Sequence, residues 1–364
     1  WNHAAQRHLE LGNGLARADL AEIAALLRRR AGRVRGGCSR ETGGFPCQPF
    51  SSAGKKEGTR DARGTLFQQI IDVLNAHRPR YFVLENVKRL LTMEKGSHFA
   101  TILGALAELD YFVEWRLLNA ASFGLPQSRE RVFIIGELAM PNQPPITDGY
   151  CHVRMAGPQE IGSLKASQTT RLFDPDSWRM ISKHNARFED WGVAFNGRFF
   201  ASDLPDFVSP FAPVKLASVL ESEVAEDFDF TKTTLGWLDN NTPVNRYVNG
   251  VEILSNQRGG ARMGYTIFGT NGVAPTLTSA TSRHYERYKI GDQYRRLTNV
   301  EYARIQGFPD QHCREISIYD QYILYGNAVP PPMAEWVLSR LSATGVSRGE
   351  IPQKPHIPTL FDHA

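Results

Sequence analysis

The sequence has few cysteines and no long apolar run. It contains four cysteines among 364 residues, and they form no CxxC pair. This spacing argues against a disulfide framework or a zinc cluster and is typical of a reducing cytoplasm. No stretch approaches the roughly 18 apolar residues that a membrane-spanning helix needs. The first residues mix charged and apolar side chains, so we expect neither a signal peptide nor a membrane anchor.

The excess of positive over negative charge is also small. The net charge is +4 and the isoelectric point is near 8.8, a weakly basic balance that permits a nucleic-acid partner without requiring one. Hydrophobic residues make up 41% and charged residues 22% of the chain, as in soluble globular proteins. The length predicts one large domain and a smaller one.

Hydrophobic periodicity predicts an α/β arrangement over residues 64–136. Apolar residues at helical spacing indicate helices over GTLFQQIIDVLNAH and SHFATILGALAELD, and nearly continuous apolar runs indicate strands over YFVLEN, YFVEWRLLNA and RVFIIGEL. The alternation of helices and strands favours a parallel sheet.

Changes in residue composition and hydrophobic pattern along the sequence mark the predicted domain boundaries. PNQPPITDGY ends the first regular region, and regular structure returns at YRRLTNVEYARIQGFPD, where Thr298 and Glu301 have capping-box spacing and Gly307 fits a helix C-cap. We therefore predict a first domain over 1–140, an inserted domain over 141–290, a return to the first domain over 291–345 and a tail over 346–364.

Cys47 is the candidate nucleophile. It lies in Pro-Cys-Gln-Pro, a rigid loop that excludes a helix or a central strand. An ordinary lone cysteine is more often a small core residue, but this position is not on an apolar periodic face. A thiolate needs an electropositive, partly desolvated pocket, and the Lys- and Arg-containing segment over residues 55–63 follows at once.

Charged side chains also mark the edges of two predicted strands. Glu85 ends YFVLEN, where the carboxyl end of a strand commonly meets a ligand, although a helix cap is the ordinary alternative. Gln127, Arg129 and Arg131 alternate and so point one way as the chain enters the next strand. Two buried arginines call for anionic partners, for which Glu85, a thiolate and a nucleic acid are candidates.

These segments together resemble the DNA cytosine-5 methyltransferase family of bacterial restriction-modification systems. The resemblance rests on GGFPCQPFS, ENV, QSRERVFIIG, RRLTNVEYARIQGFP and YGNAVPPP, and it covers roughly residues 40–140 and 290–345. It implies a Rossmann-like sheet that uses S-adenosyl-L-methionine, with a smaller target-recognition domain inserted in it. It also implies methylation of a flipped-out cytosine in duplex DNA.

The resemblance assigns catalytic roles to four residues. Cys47 would attack C6 of cytosine, and Glu85 would hold the N3/N4 edge of the ring. Arg131 would contact the O2 side, and Arg129 would help hold the closed Cys47 loop.

Cofactor residues carry over less completely. The family's Gly-rich FxGxG turn and the acidic residue before the adenine-stacking tryptophan are not in this chain, so we expect weak or absent turnover from the chain as given. The matching positions that would line the cofactor pocket are Trp1, Asp19, Leu20, Pro46, Leu66, Asn327 and Ala328.

Interleaved Arg, Gly and aromatic residues over about 215–290 suit DNA phosphate and groove contacts, although a merely polar surface is the alternative. Thr276 lies in APTLT, which resembles the element that closes the recognition domain. The predicted DNA contacts are Ser51, Asn86, Val87, Gln127, Arg246, Arg258, Arg262, Thr276 and Arg283.

The partners implied are double-stranded DNA and a cognate restriction endonuclease, with the protein acting as a cytoplasmic, nucleoid-associated monomer. Two alternatives stay open: a DNA-binding relative or fragment that no longer methylates, and an RNA cytosine-5 methyltransferase. The large Arg-rich region disfavours the RNA alternative.

Overall fold

Within the residues that it describes, the structure, a computed structural model, contains two β-sheets. It describes residues 40–44, 66–139, 153–156, 160, 175–204, 207, 209, 211–238, 241–257, 266–278 and 286–342. Within this part of the chain, no helix is long and apolar enough to cross a membrane.

The first sheet has seven strands in the order β1-β2-β4-β3-β6-β7-β5. The strands are β1 (Arg40–Gly44), β2 (Tyr81–Val87), β3 (Tyr111–Asn119), β4 (Glu130–Leu138), β5 (Arg179–Met180), β6 (Trp191–Phe195) and β7 (Arg198–Ser202). Helices α1 (Leu66–His77) and α2 (Ser97–Ala107) lie where the periodicity predicts them. The α/β fold class is confirmed.

The sheet is mixed, so the prediction of a parallel sheet is wrong for most of its described pairs. β1 and β2 are parallel, and α2 crosses over so that β3 runs in the same direction as β2. β4 lies between β2 and β3 and is antiparallel to both. The reason is the connection from Asn119 to Glu130, which contains one short 3₁₀ turn and no crossover helix, so the chain must return antiparallel.

Aromatic packing holds α2 against the first sheet. Phe99 of α2 meets Trp115 of β3 edge-on with ring centroids 5.3 Å apart, and Phe188 packs against both rings. All three side chains are almost completely buried. Edge-to-face pairs of this kind contribute about 0.5–1.5 kcal/mol each beyond the area they bury.

Part of the predicted inserted domain extends the first sheet. β6 pairs with β3, and β7 and β5 continue the sheet beyond β6, although the predicted division places the residues of all three strands in the second domain. The buried Glu114 carboxylate of β3 also accepts hydrogen bonds from the backbone N–H groups of Arg154 and Met155, at 2.7 and 3.0 Å, and from the Trp191 indole at 2.9 Å. Burial of polar groups is tolerated here because each finds a partner.

The second sheet has five strands in the order β12-β11-β10-β9-β8. They are β8 (Asn241–Val248), β9 (Val251–Gln257), β10 (Thr266–Phe268), β11 (Arg287–Ile290) and β12 (Gln293–Arg295), preceded by the short helix α3 (Lys232–Leu238) and followed by α4 (Asn299–Gln306), α5 (Ile318–Asn327) and α6 (Pro331–Ser342). Met333, Val337 and Leu341 of α6 are buried on one face, as predicted.

The predicted caps of α4 are confirmed. The Thr298 hydroxyl accepts from the Glu301 N–H at 3.1 Å, the Glu301 carboxylate accepts from the Thr298 N–H at 2.8 Å, and Gly307 ends the helix with φ 81°. Glu301 also pairs with Arg295 of β12 at 2.7 Å, and both side chains are buried. The cap therefore ties α4 to the second sheet.

A buried carboxyl group lies at the same junction. Glu286 precedes β11, and its Oε2 accepts a hydrogen bond from the Tyr302 hydroxyl of α4 at 2.5 Å. Its Oε1 and the Tyr288 hydroxyl are buried without a hydrogen-bond partner among the described residues. Burial raises the pKa of Glu286 to about 7, against the opposing effect of the Tyr302 hydrogen bond.

Replacing Glu286 with glutamine is expected to stabilise the protein at pH 8 much more than at pH 5. Because the folded pKa of about 7 exceeds the unfolded value, this group's stabilisation is complete below the unfolded pKa and is lost as the pH rises through 7. The loss at pH 8 is on the order of 3 kcal/mol, and the amide avoids it because it stays neutral.

Denaturant unfolding at both pH values checks this, with the exposed Glu223→Gln as the control. A Glu286→Gln effect of the same size at pH 5 and pH 8 would contradict the assignment.

Candidate active site

The candidate site lies at the carboxyl edge of β2. Gly44, the last residue of β1, pairs with Glu85 in the parallel register, and Val87 pairs with Arg131 of β4. The sheet therefore brings the end of β1, the end of β2 and the start of β4 to one edge. In open α/β sheets this is the edge at which ligands bind.

Glu85 and Arg131 form an ion pair at this edge. The Arg131 Nε lies 3.0 Å from Glu85 Oε1, and the two side chains are 12% and 21% exposed. Burial raises the pKa of Glu85 above its usual value, and the positive charges of Arg131 and Arg129 oppose this rise. Glu85 thus combines a partly accessible carboxyl group with a higher proton affinity than a surface glutamate has.

Arg129 binds backbone rather than the anionic partner that the sequence suggested. Its guanidinium donates to the carbonyl oxygens of Leu277, Gly326 and Ala328, each at 2.9 Å. The side chain is 2% exposed, and burial, with the nearby charge of Arg131, lowers its pKa to about 9. Arg129 therefore joins the first sheet to the segment after β10 and to the end of α5.

Gln127 is fully buried beside Arg129. Its Oε1 accepts from the Leu277 N–H at 3.0 Å, and its Nε2 donates to Gln306 Oε1 at 3.3 Å. Gln306 in turn donates to the Tyr325 carbonyl. Sequence reasoning assigned no role to Gln306 or Leu277, although Gln306 lies in the motif RIQGFP. Gln127 and Gln306 are 179 residues apart, so their hydrogen bond leaves no periodic pattern in the sequence.

Two residues predicted as DNA contacts are buried. Gln127 is 0% exposed and Asn86 is 3% exposed, with its Oδ1 accepting from the Val87 N–H at 2.9 Å. Both hold the start of β4 and the end of β2 in this arrangement, and their contact with DNA stays a prediction.

Thr276 remains at the surface of the site. It is half-buried, and its hydroxyl donates to the Ser128 carbonyl at 2.6 Å. Two backbone hydrogen bonds, from Ala274 N to Pro126 O and from Ser128 N to Ala274 O, both at 2.8 Å, fix this segment against the start of β4. The second sheet is thus joined to the candidate active site through backbone.

The remaining predicted site residues are spread over both sheets. Arg246 is exposed on β8, Asn327 is exposed at the end of α5, and Ala328 is half-buried beside it, while Leu66 begins α1. Predicted positions outside the described residues are Trp1, Asp19, Leu20, Pro46, Cys47, Ser51, Arg258, Arg262 and Arg283.

The fold is of the Rossmann-like α/β class. The structure is similar to that of a mutant of Spodoptera frugiperda DNMT2, with a TM-score of 0.51 at 16% sequence identity, over 90% of this chain and 84% of that one. At this identity the likeness shows the fold alone.

Sequence comparison then gives the family. The model of the family described as C-5 cytosine-specific DNA methylase matches residues 42–343, so the chain belongs to that family. It is 30% identical to the type II methyltransferase M1.ScrFI of Lactococcus lactis subsp. cremoris over 82% of this chain and 61% of that relative. It is 28% identical to the type II methyltransferase M.NlaIV of Neisseria lactamica over 83% of this chain and 82% of that relative.

Proposed function

We propose that this protein transfers a methyl group from S-adenosyl-L-methionine to C5 of cytosine in a specific duplex DNA sequence. The observation that carries the proposal is the Glu85–Arg131 pair, 3.0 Å apart, at the edge where β1 ends. A carboxyl group and a guanidinium together match the N3/N4 edge and the O2 of a cytosine ring. Membership of the cytosine-specific methylase family supports the same substrate.

The proposed nucleophile follows β1 closely in the sequence. Cys47 comes three residues after Gly44, and Gly44 is the register partner of Glu85. Three residues of chain can span about 11 Å at most, which is short enough for Cys47 to act on a cytosine held by Glu85. A cytosine flipped out of the duplex then meets Cys47 on one side of the ring and Glu85 at its edge.

The proposed reaction balances on these groups. The Cys47 thiolate adds to C6 while Glu85 shares a proton with N3, which makes C5 nucleophilic. Bound S-adenosylmethionine would supply the methyl group to C5 and would leave as S-adenosylhomocysteine. A base would then take the C5 proton, and cleavage of the C6–S bond would restore the ring and the Cys47 thiolate. The raised pKa of Glu85 supports the acid role, because it keeps the proton available nearer to neutral pH.

The described residues at this edge fit the cofactor. Gly326 and Ala328 offer their carbonyl oxygens to Arg129, which fixes the end of α5 and leaves the Asn327 amide exposed there. A small residue and a free polar side chain at the carboxyl edge of the sheet suit a bound nucleoside. When bound, S-adenosylmethionine supplies an electrophilic methyl group on a sulfonium centre.

The second sheet is the proposed reader of the DNA sequence. Arg246 is exposed on β8, and the predicted contacts Arg258, Arg262, Arg283 and Thr276 lie between β9 and β11 in the chain. We place the start of this recognition domain after residue 204, because strands up to β7 extend the first sheet. A restriction endonuclease of the same sequence specificity is the proposed functional partner, and the protein acts as a monomer.

Transfer of labelled methyl from S-adenosylmethionine tests the proposal. We expect slow incorporation of label into duplex DNA, as 5-methylcytosine at one sequence, and none into an RNA transcript of that sequence. Label found in the RNA, or on an exocyclic amine of the DNA, would contradict the proposal.

A further inference from the structure

A recess separates the β8–β9 hairpin from the loop that carries Ser128. Its walls are largely apolar, from Ile253, Phe268 and Pro275, and Asn249, Ser128 and Thr276 add polar groups. Its cavity volume is about 240 Å³. Pockets that enclose a whole ligand usually measure about 300–1,000 Å³, so this recess suits the edge of a planar group.

The hairpin tip that borders the recess is held in place. Asn249 and Gly250 form the two-residue turn with φ of 49° and 78°. The Val273 N–H donates to the Gly250 carbonyl at 2.9 Å, so the loop before Thr276 holds the turn from behind. The Asn249 side chain is exposed and makes no hydrogen bond to the residues that the structure describes.

The recess adjoins the candidate active site. Ser128 lies three residues before Arg131, and a strand advances about 3.3 Å per residue, so the two positions are about 10 Å apart. Because the target cytosine is flipped out of the stack, this distance places the recess near the bases that flank the cytosine and does not fix a number of steps.

We propose that the recess receives the edge of a base in the recognition sequence and that Asn249 determines which base is accepted. An asparagine amide presents a donor and an acceptor together, and it reads a base edge that carries both. The recess is open to solvent, so a base edge can enter it from a bound duplex. This inference rests on the proposed function, since it needs a duplex DNA substrate.

Asn249→Gly and Asn249→Asp separate base reading from folding. Glycine keeps the positive φ of the turn and removes the amide, and aspartate tolerates the same φ but replaces the donor by an acceptor. Asn196→Gly and Asn196→Asp are the matched controls, because Asn196 and Gly197 form the β6–β7 turn with φ of 48° and 72° on the first sheet.

The full-length chain is used to select bound duplexes from a library with randomised positions around one cytosine, and the bound sequences are counted. A bidentate base contact discriminates by roughly 5- to 150-fold. We expect the parent chain and the Asn196 variants to keep that preference at one position close to the cytosine. The Asn249→Gly preference should fall below about threefold there, and Asn249→Asp should change the preferred base.

The outcomes distinguish this inference from the proposed function. If the parent chain selects a sequence and the Asn249 variants select it with the same strengths at every position, the recess does not read a base. An equal loss of preference at all positions would mean that Asn249 only supports the fold, which also overturns the inference. If the parent chain selects no sequence and methylates no DNA, the proposed function itself is wrong.

Discussion

Glu85→Gln is expected to transfer methyl groups about 10²- to 10⁴-fold more slowly than the parent chain, the range for loss of a positioned acid–base group. Glutamine keeps the size of the side chain but cannot deliver a proton to N3 of cytosine. The Arg131 guanidinium, 3.0 Å away, also loses its counter-charge. Single-turnover methylation with saturating DNA checks the rate without contributions from product release.

Glu130→Gln is the matched control. Glu130 begins β4 at the same edge of the sheet and pairs with Lys88 at 2.8 Å, but it does not contact Arg131 through its side chain. We expect its rate to stay within about threefold of the parent, since exposed ion pairs contribute little. If Glu85→Gln changed the rate no more than Glu130→Gln does, Glu85 would not be the acid.

The pH dependence follows the same assignment. Since burial raises the pKa of Glu85, the protonated fraction stays higher at a given pH than for a surface glutamate and falls as the pH rises. The parent rate should therefore decline with rising pH through this ionisation. The slow residual rate of Glu85→Gln should not follow that decline.

Arg129→Met is expected to give the largest loss of stability, on the order of 3–5 kcal/mol, as when one partner of a buried charged network is removed. Three carbonyl oxygens lose their donor, and they belong to Leu277 and to both ends of the turn at Gly326–Ala328. Methionine fills much of the volume, so the loss reports mainly on the hydrogen bonds. Denaturant unfolding measures it.

Two further variants bracket this effect. Arg129→Lys keeps a charge but lacks the planar fork that reaches three carbonyls, so its loss should be intermediate. Arg246→Met removes an exposed arginine of β8 and should change the stability by less than about 0.5 kcal/mol. A loss for Arg129→Met no larger than that for Arg246→Met would show that the clamp does not stabilise the fold.

Local patterns predicted the elements of the fold well. The helix α2 carries its apolar residues at helical spacing, and Thr298 and Glu301 form the capping box that their spacing indicates. These features depend on neighbours within a few residues. The direction of β4 was not accessible in this way, because the length of the turn after β3 decides it.

The sequence predicted which residues belong to the candidate site better than it predicted what those residues contact. The alternation that indicated buried arginines was correct, and Glu85 is the partner of Arg131. Arg129, however, is satisfied by carbonyl oxygens 148 to 199 residues further along the chain. Every residue has a backbone carbonyl, so the residue types do not reveal which carbonyls bind Arg129. The sequence analysis therefore predicted an anionic partner for Arg129. The burial of Gln127 was missed for the same reason.

The most direct test of the account is covalent capture of Cys47. In duplex DNA that carries 5-fluorocytosine, fluorine replaces the C5 proton and cannot be removed by a base. The covalent protein–DNA adduct therefore accumulates even when turnover is slow. We predict an adduct of the parent chain that requires S-adenosylmethionine and maps by mass spectrometry to the peptide containing Cys47, and none with Cys47→Ser. An adduct of equal yield with Cys47→Ser, or methylation of DNA without any adduct, would contradict the assignment of Cys47 as the nucleophile.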